Sequence, residues 1–112
     1  MKLPNANAAF IAREKIYDYL LNPGHPDNGG KAAFFISLGF DRQNWSALAA
    51  AFKELVRTSD VSARLETRHG SKYIVDGRVE STGSRSSAVR TIWIIDRGED
   101  IPRLVTAYPH EE

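Results

Sequence analysis

The sequence predicts an α+β fold in which N-terminal helices pack on a C-terminal antiparallel sheet of four to five strands. Apolar residues in the first half recur at helical spacing, and residues in the second half alternate between apolar and polar. The loops between the second-half segments are short, which favours antiparallel pairing. Helices that precede such a sheet pack together on one of its faces. We expect a single domain over residues 1–112, with a helical half at about 1–58 and a sheet half at about 61–109.

The first predicted helix covers Arg13–Leu21. Ile16 and Leu20 lie four residues apart and form an apolar face. The helix ends before Pro23, because the residue that precedes a proline avoids the α region. Residues 22–30 are rich in Pro, Gly, Asn and Asp, and this composition predicts a loop.

Two further helices are predicted after this loop. A short helix covers about Lys31–Leu38 and stops at Gly39. A longer helix covers about Asn44–Thr58, and Asp41 or Asn44 can cap its first turn. The longer helix has apolar residues at i, i+3, i+4 and i+7 spacing, which is the clearest helical pattern in the chain. These residues are Trp45, Leu48, Ala49, Phe52, Leu55 and Val56.

Four strands are predicted in the second half. They cover about Val61–Leu65, Lys72–Val75, Ala88–Asp96 and Arg103–Tyr108. His69–Gly70 can turn the chain between the first two strands, and Gly77 permits a turn or a bulge before a short segment at 78–80. A polar hairpin loop at 81–87 precedes the third strand, and Pro109 ends the last one.

Composition excludes several classes of protein. The chain has no cysteine, which rules out a disulfide framework, a thiol nucleophile and cysteine-ligated metal sites. Its 15 Lys and Arg against 14 Asp and Glu give a net charge of +1, which argues against a polybasic protein that coats nucleic acid. The net charge does not exclude a local basic cleft. No apolar run approaches the roughly 18 residues of a membrane helix, and the N-terminus lacks the apolar segment of a secretory signal. We therefore expect a cytoplasmic protein with no membrane partner.

Strict alternation in the last strand predicts two different faces. It puts Leu104, Thr106 and Tyr108 on one face and leaves Val105 and Ala107 on the other. The small apolar pair suits packing beneath the helices. A face that carries Thr, Tyr and Arg side chains can bind an anion. The alternative is that this face is the solvated side of a half-buried sheet.

Two residues around the 22–30 loop have the chemistry of a catalytic site. His25 stands between Gly24 and Pro26 in an accessible loop, and histidines titrate near neutral pH, as proton transfer requires. Lys31 follows two glycines at the start of a helix, where backbone N–H groups attract anions. The alternatives are that His25 only packs or caps at a helix stop and that Lys31 is an ordinary surface lysine.

Several catalytic and metal-binding motifs are absent. The chain has no His-Glu-x-x-His zinc motif, no Gly-x-Ser-x-Gly nucleophile elbow and no P-loop. Asp96, Glu99 and Asp100 cluster in a predicted turn, where carboxylates are common for local reasons. His69 and His110 are expected at the surface, in a turn and in the C-terminal tail. We therefore expect no metal site and no cofactor.

Two segments together resemble an uncharacterised family of small bacterial domains. The first joins Leu20–Pro26 to Lys31–Phe35, and the second is Arg103–Pro109. The resemblance also includes Gly70–Tyr73 and Val89–Trp93, and so covers nearly the whole chain. The closing Thr-Ala-Tyr-Pro sequence is similar to the end of RNase toxin domains from bacterial competition systems. Those domains belong to the barnase–EndoU–colicin–RelE group and to the RNase A-like group.

The resemblance implies a metal-free active site with four catalytic residues. Carried over by position, they are His25, Lys31, Thr106 and Tyr108. Metal-free cleavage of RNA needs a base for the 2′-OH, an acid for the 5′-oxygen and donors around the transition state. His25 can transfer the proton, and the hydroxyls of the last strand can donate to the phosphate. The candidates for binding the substrate are Arg90, Lys72 and Thr91.

The sequence therefore predicts a metal-independent, ribonuclease-like toxin domain that cleaves RNA by transesterification. Its expected partners are an RNA substrate, with tRNA left open as one choice, and a separate cognate immunity or antitoxin protein. One alternative is a non-catalytic RNA- or protein-binding module on the same fold, as an accessory of a toxin–antitoxin pair. Another is a catalytically inactive scaffold.

Overall fold

The structure is a computed structural model, and it describes residues 1–80 and 86–110. In this part of the chain the helices precede a four-stranded antiparallel sheet, so the predicted α+β class is confirmed. The elements in chain order are a 3-10 turn Ala6–Ala8, a π-helical segment Lys15–Leu20, helices α1 (Lys31–Ser37) and α2 (Trp45–Thr58), and strands β1 (Val61–Thr67), β2 (Gly70–Glu80), β3 (Ser86–Asp96) and β4 (Arg103–Pro109). Residues 81–85 of the predicted hairpin loop lie outside the described residues.

The first helical segment is π-helical where the sequence predicts an α-helix. The Leu21 N–H donates to the Ile16 carbonyl, five residues earlier, at 2.9 Å. Ile16 and Leu20 are nevertheless both fully buried. Their spacing of four residues fits the core in either geometry, so the apolar pattern does not distinguish the two. The wider turn is a feature that is frequent at functional sites.

The two α-helices lie close to their predicted bounds. Before α2, the Asp41 N–H donates to Asn44 Oδ1 at 2.7 Å, and the Asn44 N–H donates to Asp41 Oδ1 at 2.9 Å. These two side chains therefore close the turn that leads into α2. The predicted cap is not formed, because the Asn44 side chain makes no capping hydrogen bond to the helix. None of the helices in the described part of the chain is both long and apolar enough to cross a membrane.

The sheet has the order β1-β2-β3-β4, and each strand is antiparallel to the next. The helices cover one face of it. Large buried side chains from that face include Tyr73, Val75, Val79, Val89 and Trp93. They belong to one core with the buried helical side chains Ile16, Leu20, Phe35, Leu48, Phe52, Leu55 and Val56. Aromatic rings take part in this core, with Phe35 and Phe52 edge to face at a centroid distance of 5.7 Å.

Strand β4 contains a bulge that the sequence analysis did not predict. Ile92 of β3 stands opposite Thr106, but the next residue, Trp93, stands opposite Leu104. Val105 is therefore an extra residue in β4. A bulge of this kind interrupts the ladder and shifts the alternation of side chains by one residue.

The bulge changes which residues of β4 share a face. Leu104 and Ala107 both lie in the core, although strict alternation separates them. Thr106 and Tyr108 lie on the opposite face, and Val105 faces a surface cleft. The predicted grouping of Leu104 with Thr106 and Tyr108 was wrong, and so was the predicted packing of Val105 beneath the helices.

The N-terminal segment covers the start of the outer edge of β4. The Phe10 N–H donates to the Pro102 carbonyl at 2.8 Å, and the Leu104 N–H donates to the Phe10 carbonyl at 3.0 Å. This short parallel bridge protects an otherwise unpaired edge. It also directs the following π-helical segment along the bulged part of β4.

Strand β2 runs straight through Gly77, where the sequence analysis allowed a turn or a bulge. A Cβ atom at this position would lie 2.7 Å from Ser59 Oγ and 2.8 Å from Leu55 Cγ. Glycine is therefore needed because α2 approaches the strand closely here. The predicted turn or bulge at Gly77 was wrong.

We expect Gly77→Ala to lower the free energy of unfolding by about 1–3 kcal/mol, as overpacking of a filled core does. The physical reason is that Leu55 is buried and has no free space to move into. Urea unfolding of parent and variant measures the difference. Gly24→Ala is a suitable control, since a Cβ there makes only an ordinary contact of 3.5 Å with Asn22 Oδ1. Equal midpoints for parent and Gly77→Ala would contradict the close approach of α2.

Candidate active site at the edge of the last strand

An open cleft lies where the π-helical segment and the 22–30 loop meet β4. Its volume is ≈ 640 Å³. The residues that line it are Ala12, Glu14, Lys15, Asp18, Tyr19, His25, Asp27, Val105 and Thr106. The fold therefore brings His25 of the loop and Thr106 of the last strand to one cavity, although 81 positions separate them in the sequence (106 minus 25).

Tyr19 is the residue that connects the parts of this cleft. The Lys31 ammonium donates a hydrogen bond of 2.5 Å to Tyr19 Oη, and Lys31 Nζ lies 5.0 Å from the centroid of the tyrosine ring. The Nζ of Lys15 lies 5.4 Å from the same centroid. Two cations thus stand against one phenol, which is a strongly electropositive setting for a tyrosine.

This setting changes the acidity of Tyr19. Burial alone would raise its pKa, but the side chains of Lys31 and Thr106 and the charges of Lys31 and Lys15 outweigh that effect. The pKa of Tyr19 therefore lies below the ordinary tyrosine value of 10.0. The phenol is consequently a better proton donor than an exposed tyrosine.

Asn28 fixes the 22–30 loop against the π-helical segment. Its side chain is buried, with 3% of the residue exposed. Asn28 Nδ2 donates to the Tyr19 carbonyl at 2.6 Å, and Asn28 Oδ1 accepts from the Ala32 N–H at 2.8 Å. The loop, Tyr19 and α1 are thereby held together by one side-chain amide that both donates and accepts a hydrogen bond.

His25 is held in a defined orientation beside Tyr19. Its Nδ1 accepts a hydrogen bond of 3.1 Å from the Asp27 N–H. The two rings meet edge to face with centroids 5.0 Å apart. Because Nδ1 is an acceptor, the neutral imidazole carries its hydrogen on Nε2. His25 is therefore an oriented ring that lines the cleft.

Thr106 lies on the β4 side of the cleft with its hydroxyl covered. Its Oγ1 is buried and makes no hydrogen bond within the described part of the chain. The side chain still lies near enough to Tyr19 to lower the pKa of the phenol. A buried hydroxyl without a partner is uncommon in native proteins and is often linked to function.

A second polar cluster lies on the same face of the sheet. Arg90 donates to both carboxylate oxygens of Asp76, at 2.8 and 2.9 Å. His110 Nε2 lies 3.4 Å from Arg90 Nη2 and 3.5 Å from Asp76 Oδ2. Tyr108 stands opposite Arg90 in the β3–β4 ladder. The hydrogen bonds from Arg90 are the main reason why the pKa of Asp76 lies below its ordinary value.

The structure does not bring every predicted site residue to the cleft. Thr91 is fully buried in the core, where it donates to the Val75 carbonyl at 2.7 Å and accepts from Trp93 Nε1 at 2.8 Å. This hydroxyl has no access to a substrate, so the predicted binding role of Thr91 is withdrawn. Lys72 lies on β2, and β3 separates it from β4. Tyr108 and Arg90 belong to the second cluster. Tyr108 is two residues after Thr106 in β4, and Arg90 is its partner in β3.

Two residues of these clusters were missed by sequence reasoning. Tyr19 is four positions after Lys15, a spacing that shares a helix face and was available as a signal. His110 was expected in a frayed tail, but its N–H donates to the Ala88 carbonyl at 3.0 Å, and its side chain is only 32% exposed. Alternation from Tyr108 puts His110 on the same face, because β4 continues through Pro109.

Within residues 1–80 and 86–110, no three His, Asp or Glu side chains are grouped so that they could hold a metal ion. The polar side chains that line the cleft are the Lys15 ammonium, the His25 imidazole, the hydroxyls of Tyr19 and Thr106, and the carboxylates of Glu14, Asp18 and Asp27. Such a set can bind a phosphate and transfer protons.

Comparison with known proteins gives a family and a fold. A family model described as "Domain of unknown function (DUF6883)" matches residues 2–111. A chain of a solved structure, described as "Contact-dependent growth inhibition toxin - immunity protein complex from Klebsiella pneumoniae 342", superposes with a TM-score of 0.74 at 13% sequence identity. The match covers 96% of this chain and 97% of that one. No curated protein is significantly similar to the chain in sequence.

We expect one tyrosine of the protein to ionise at a lower pH than an ordinary tyrosine. Titration of the phenolate absorbance measures this directly. Tyr19→Phe should abolish the low step, and Lys31→Met should move it to higher pH because it removes the neighbouring charge. Tyr17→Phe is the matched control, because Tyr17 lies in the same segment but does not line the cleft. A low step that persists in Tyr19→Phe would contradict the assignment.

Proposed function

We propose that this chain, which belongs to the DUF6883 family of domains of unknown function, is a metal-independent, ribonuclease-like toxin domain that cleaves RNA by transesterification. The observation that carries the proposal is the meeting of His25, Tyr19 and Thr106 at one cleft, with Lys31 hydrogen-bonded to the Tyr19 phenol. These side chains come from a loop, two helical segments and the last strand. They supply a proton acceptor, a cation and polar hydrogens, which are the groups that metal-free cleavage needs.

In the proposed reaction the RNA 2′-oxygen attacks the neighbouring phosphorus. His25 accepts the 2′-OH proton as the new P–O2′ bond forms. The P–O5′ bond then breaks, and the products are a 2′,3′-cyclic phosphate and a free 5′-OH. The Lys31 ammonium stabilises the negative charge that builds up on the phosphate oxygens. Thr106 is a positioning residue in this scheme, since its hydroxyl is buried and its side chain lies near the Tyr19 phenol.

Tyr108 and Arg90 extend the substrate surface along β4. They lie on the Thr106 side of the sheet, and residues two positions apart in a strand are separated by roughly 7 Å. The phenol hydroxyl of Tyr108 can donate to an RNA phosphate oxygen there. Arg90 is already paired with Asp76, so its charge is partly neutralised and its guanidinium is held in place. The role of Arg90 is therefore to orient a bound phosphate, because its pairing with Asp76 weakens its long-range attraction for phosphate.

The toxin role and the protein partner rest on the fold. The solved complex that this chain resembles contains a growth inhibition toxin and its immunity protein. An enzyme that cleaves RNA in the cytoplasm would harm its own producer. The proposal therefore includes a cognate immunity or antitoxin protein that covers the cleft, and RNA, with tRNA as one choice, as the substrate.

A non-catalytic RNA- or protein-binding module is the second candidate function. It is favoured by the carboxylates of Glu14, Asp18 and Asp27, which line the same cleft as Lys15 and His25. Carboxylates repel a phosphate, whereas a mixture of both signs is typical of a protein-binding surface. Cleavage assays on the parent protein and its variants distinguish the two functions.

We expect Tyr108→Phe to slow single-turnover RNA cleavage by roughly 10²-fold, by analogy with the loss of one transition-state donor. Thr106→Val should also slow cleavage, because the buried Thr106 side chain positions the Tyr19 phenol. Thr106→Val should cost no stability, because its buried hydroxyl has no hydrogen bond to lose. Unfolding midpoints measured beside the cleavage rates separate an effect on chemistry from an effect on folding.

Thr58→Val is the matched control for Thr106→Val. The Thr58 hydroxyl donates to the Glu54 carbonyl at the end of α2 and lies outside the cleft. This control should cleave RNA at the parent rate. If both site variants also cleave at the parent rate, the site is wrong. If the parent protein binds RNA or a protein without cleaving RNA, the binding module replaces the ribonuclease.

A further inference from the structure

We infer that Tyr19 is the general acid of the cleft and gives its phenolic proton to the 5′-oxygen leaving group. This inference rests on the proposed ribonuclease function and deepens it. In the proposed reaction His25 accepts the 2′-OH proton, and the 5′-oxygen needs a separate proton donor. Tyr19 fills that role because it lines the cleft and lies against two lysine ammonium groups.

The hydrogen-bond arrangement leaves the phenolic hydrogen free to point away from Lys31. Lysine is a donor only, so the 2.5 Å hydrogen bond uses a lone pair of Tyr19 Oη. Among the described residues, the Tyr19 hydroxyl donates to the Asp27 carbonyl at 3.4 Å. That contact is long for an O–H···O hydrogen bond. A leaving-group oxygen in the cleft can replace it at little cost.

The charges around Tyr19 favour loss of its proton at the right moment. Lys31 and Lys15 both stand against the phenol, and each stabilises the phenolate that proton transfer leaves behind. The pKa of Tyr19 is lowered for the same reason. A phenol with a lowered pKa gives up its proton more readily than an exposed tyrosine, as a general acid must.

The balance of the reaction then closes within the cleft. The 2′-oxygen forms a bond to phosphorus and gives its proton to His25. If His25 accepts this proton at Nε2, its neutral ring must carry a hydrogen on Nδ1. In the structure Nδ1 instead accepts from the Asp27 N–H, so accepting at Nε2 requires that this contact opens. The P–O5′ bond breaks as Tyr19 Oη gives its proton to O5′. His25 leaves as a cation and Tyr19 as a phenolate, and one proton returned through water restores both.

Other hydroxyls are less suited to this role. The Thr106 hydroxyl is buried and has a far higher intrinsic pKa than a phenol. Tyr108 stands opposite Arg90 in the second cluster and does not line the cleft that contains His25. Tyr19 therefore combines access to the cleft with a stabilised conjugate base, and Tyr108 lacks the first of these properties.

An RNA substrate with sulfur in place of the bridging 5′-oxygen tests the inference. A thiolate leaves without being protonated, so a general acid is no longer needed. We expect Tyr19→Phe to slow cleavage of the normal substrate by about 10²-fold or more, and to slow cleavage of the 5′-thio substrate by less than about threefold. Tyr17→Phe should match the parent on both substrates.

The pH dependence gives an independent measurement. The acid must be protonated, so the rate should fall as pH rises through the pKa of Tyr19. Lys31→Met raises that pKa, so the falling limb of its profile should move to higher pH even though its overall rate is lower. Circular dichroism and unfolding midpoints show whether Tyr19→Phe folds. If it does not, the shift in Lys31→Met still tests the inference.

The possible outcomes separate this inference from the proposed function. Equal slowing of both substrates by Tyr19→Phe would make Tyr19 a structural or binding residue and overturn the inference, while the ribonuclease function stands. Parent-rate cleavage by Tyr19→Phe, or an unshifted alkaline limb in Lys31→Met, would overturn it as well. A parent protein that cleaves neither substrate would overturn the ribonuclease function itself and the inference with it.

Discussion

The extra residue in β4 determines how the last strand serves both the core and the cleft. Leu104 packs in the core, and regular alternation would carry Thr106 and Tyr108 into the core with it. The bulge at Val105 shifts the alternation, so that Ala107 becomes the next core residue and the two hydroxyl side chains lie on the other face. One inserted residue thereby gives an edge strand an apolar side and a side with two hydroxyl-bearing side chains.

The cleft depends equally on how the loop is attached. Asn28 hydrogen-bonds the Tyr19 carbonyl and the Ala32 N–H, so the loop is joined to the π-helical segment on one side and to α1 on the other. Lys31 begins α1 and donates to the Tyr19 phenol. The arrangement holds the Lys31 ammonium and the His25 ring against the Tyr19 side chain.

Much of the fold was predictable from the sequence, because it follows from local patterns. Helix α2 and the strands were found from periodicity, and the loop at residues 22–30 was found from its Pro and Gly content. Tertiary contacts escaped this reasoning. Gly77 was read as a turn, because the approach of Leu55 from α2 is not a local property. The bulge at Val105 is set by pairing with β3, which one strand's sequence does not reveal.

The candidate site was predictable in part for the same reason. His25 and Lys31 stand out because of their loop and helix start, and the structure brings both to Tyr19. Thr91 was a wrong choice, because its hydroxyl satisfies Trp93 and the Val75 carbonyl inside the core. Tyr19 was overlooked because a tyrosine on an amphipathic helix is usually a packing residue. Its proposed role depends on two lysines, and only Lys15 is close to it in the sequence.

The most direct test of the account is to incubate the purified protein with RNA in excess chelator and to determine the chemical ends of any fragments. Transesterification by the cleft residues predicts cleavage that persists without divalent ions and leaves 2′,3′-cyclic phosphate and 5′-OH ends. Strict dependence on magnesium, fragments with 5′-phosphate ends, or no cleavage of RNA at all would contradict it.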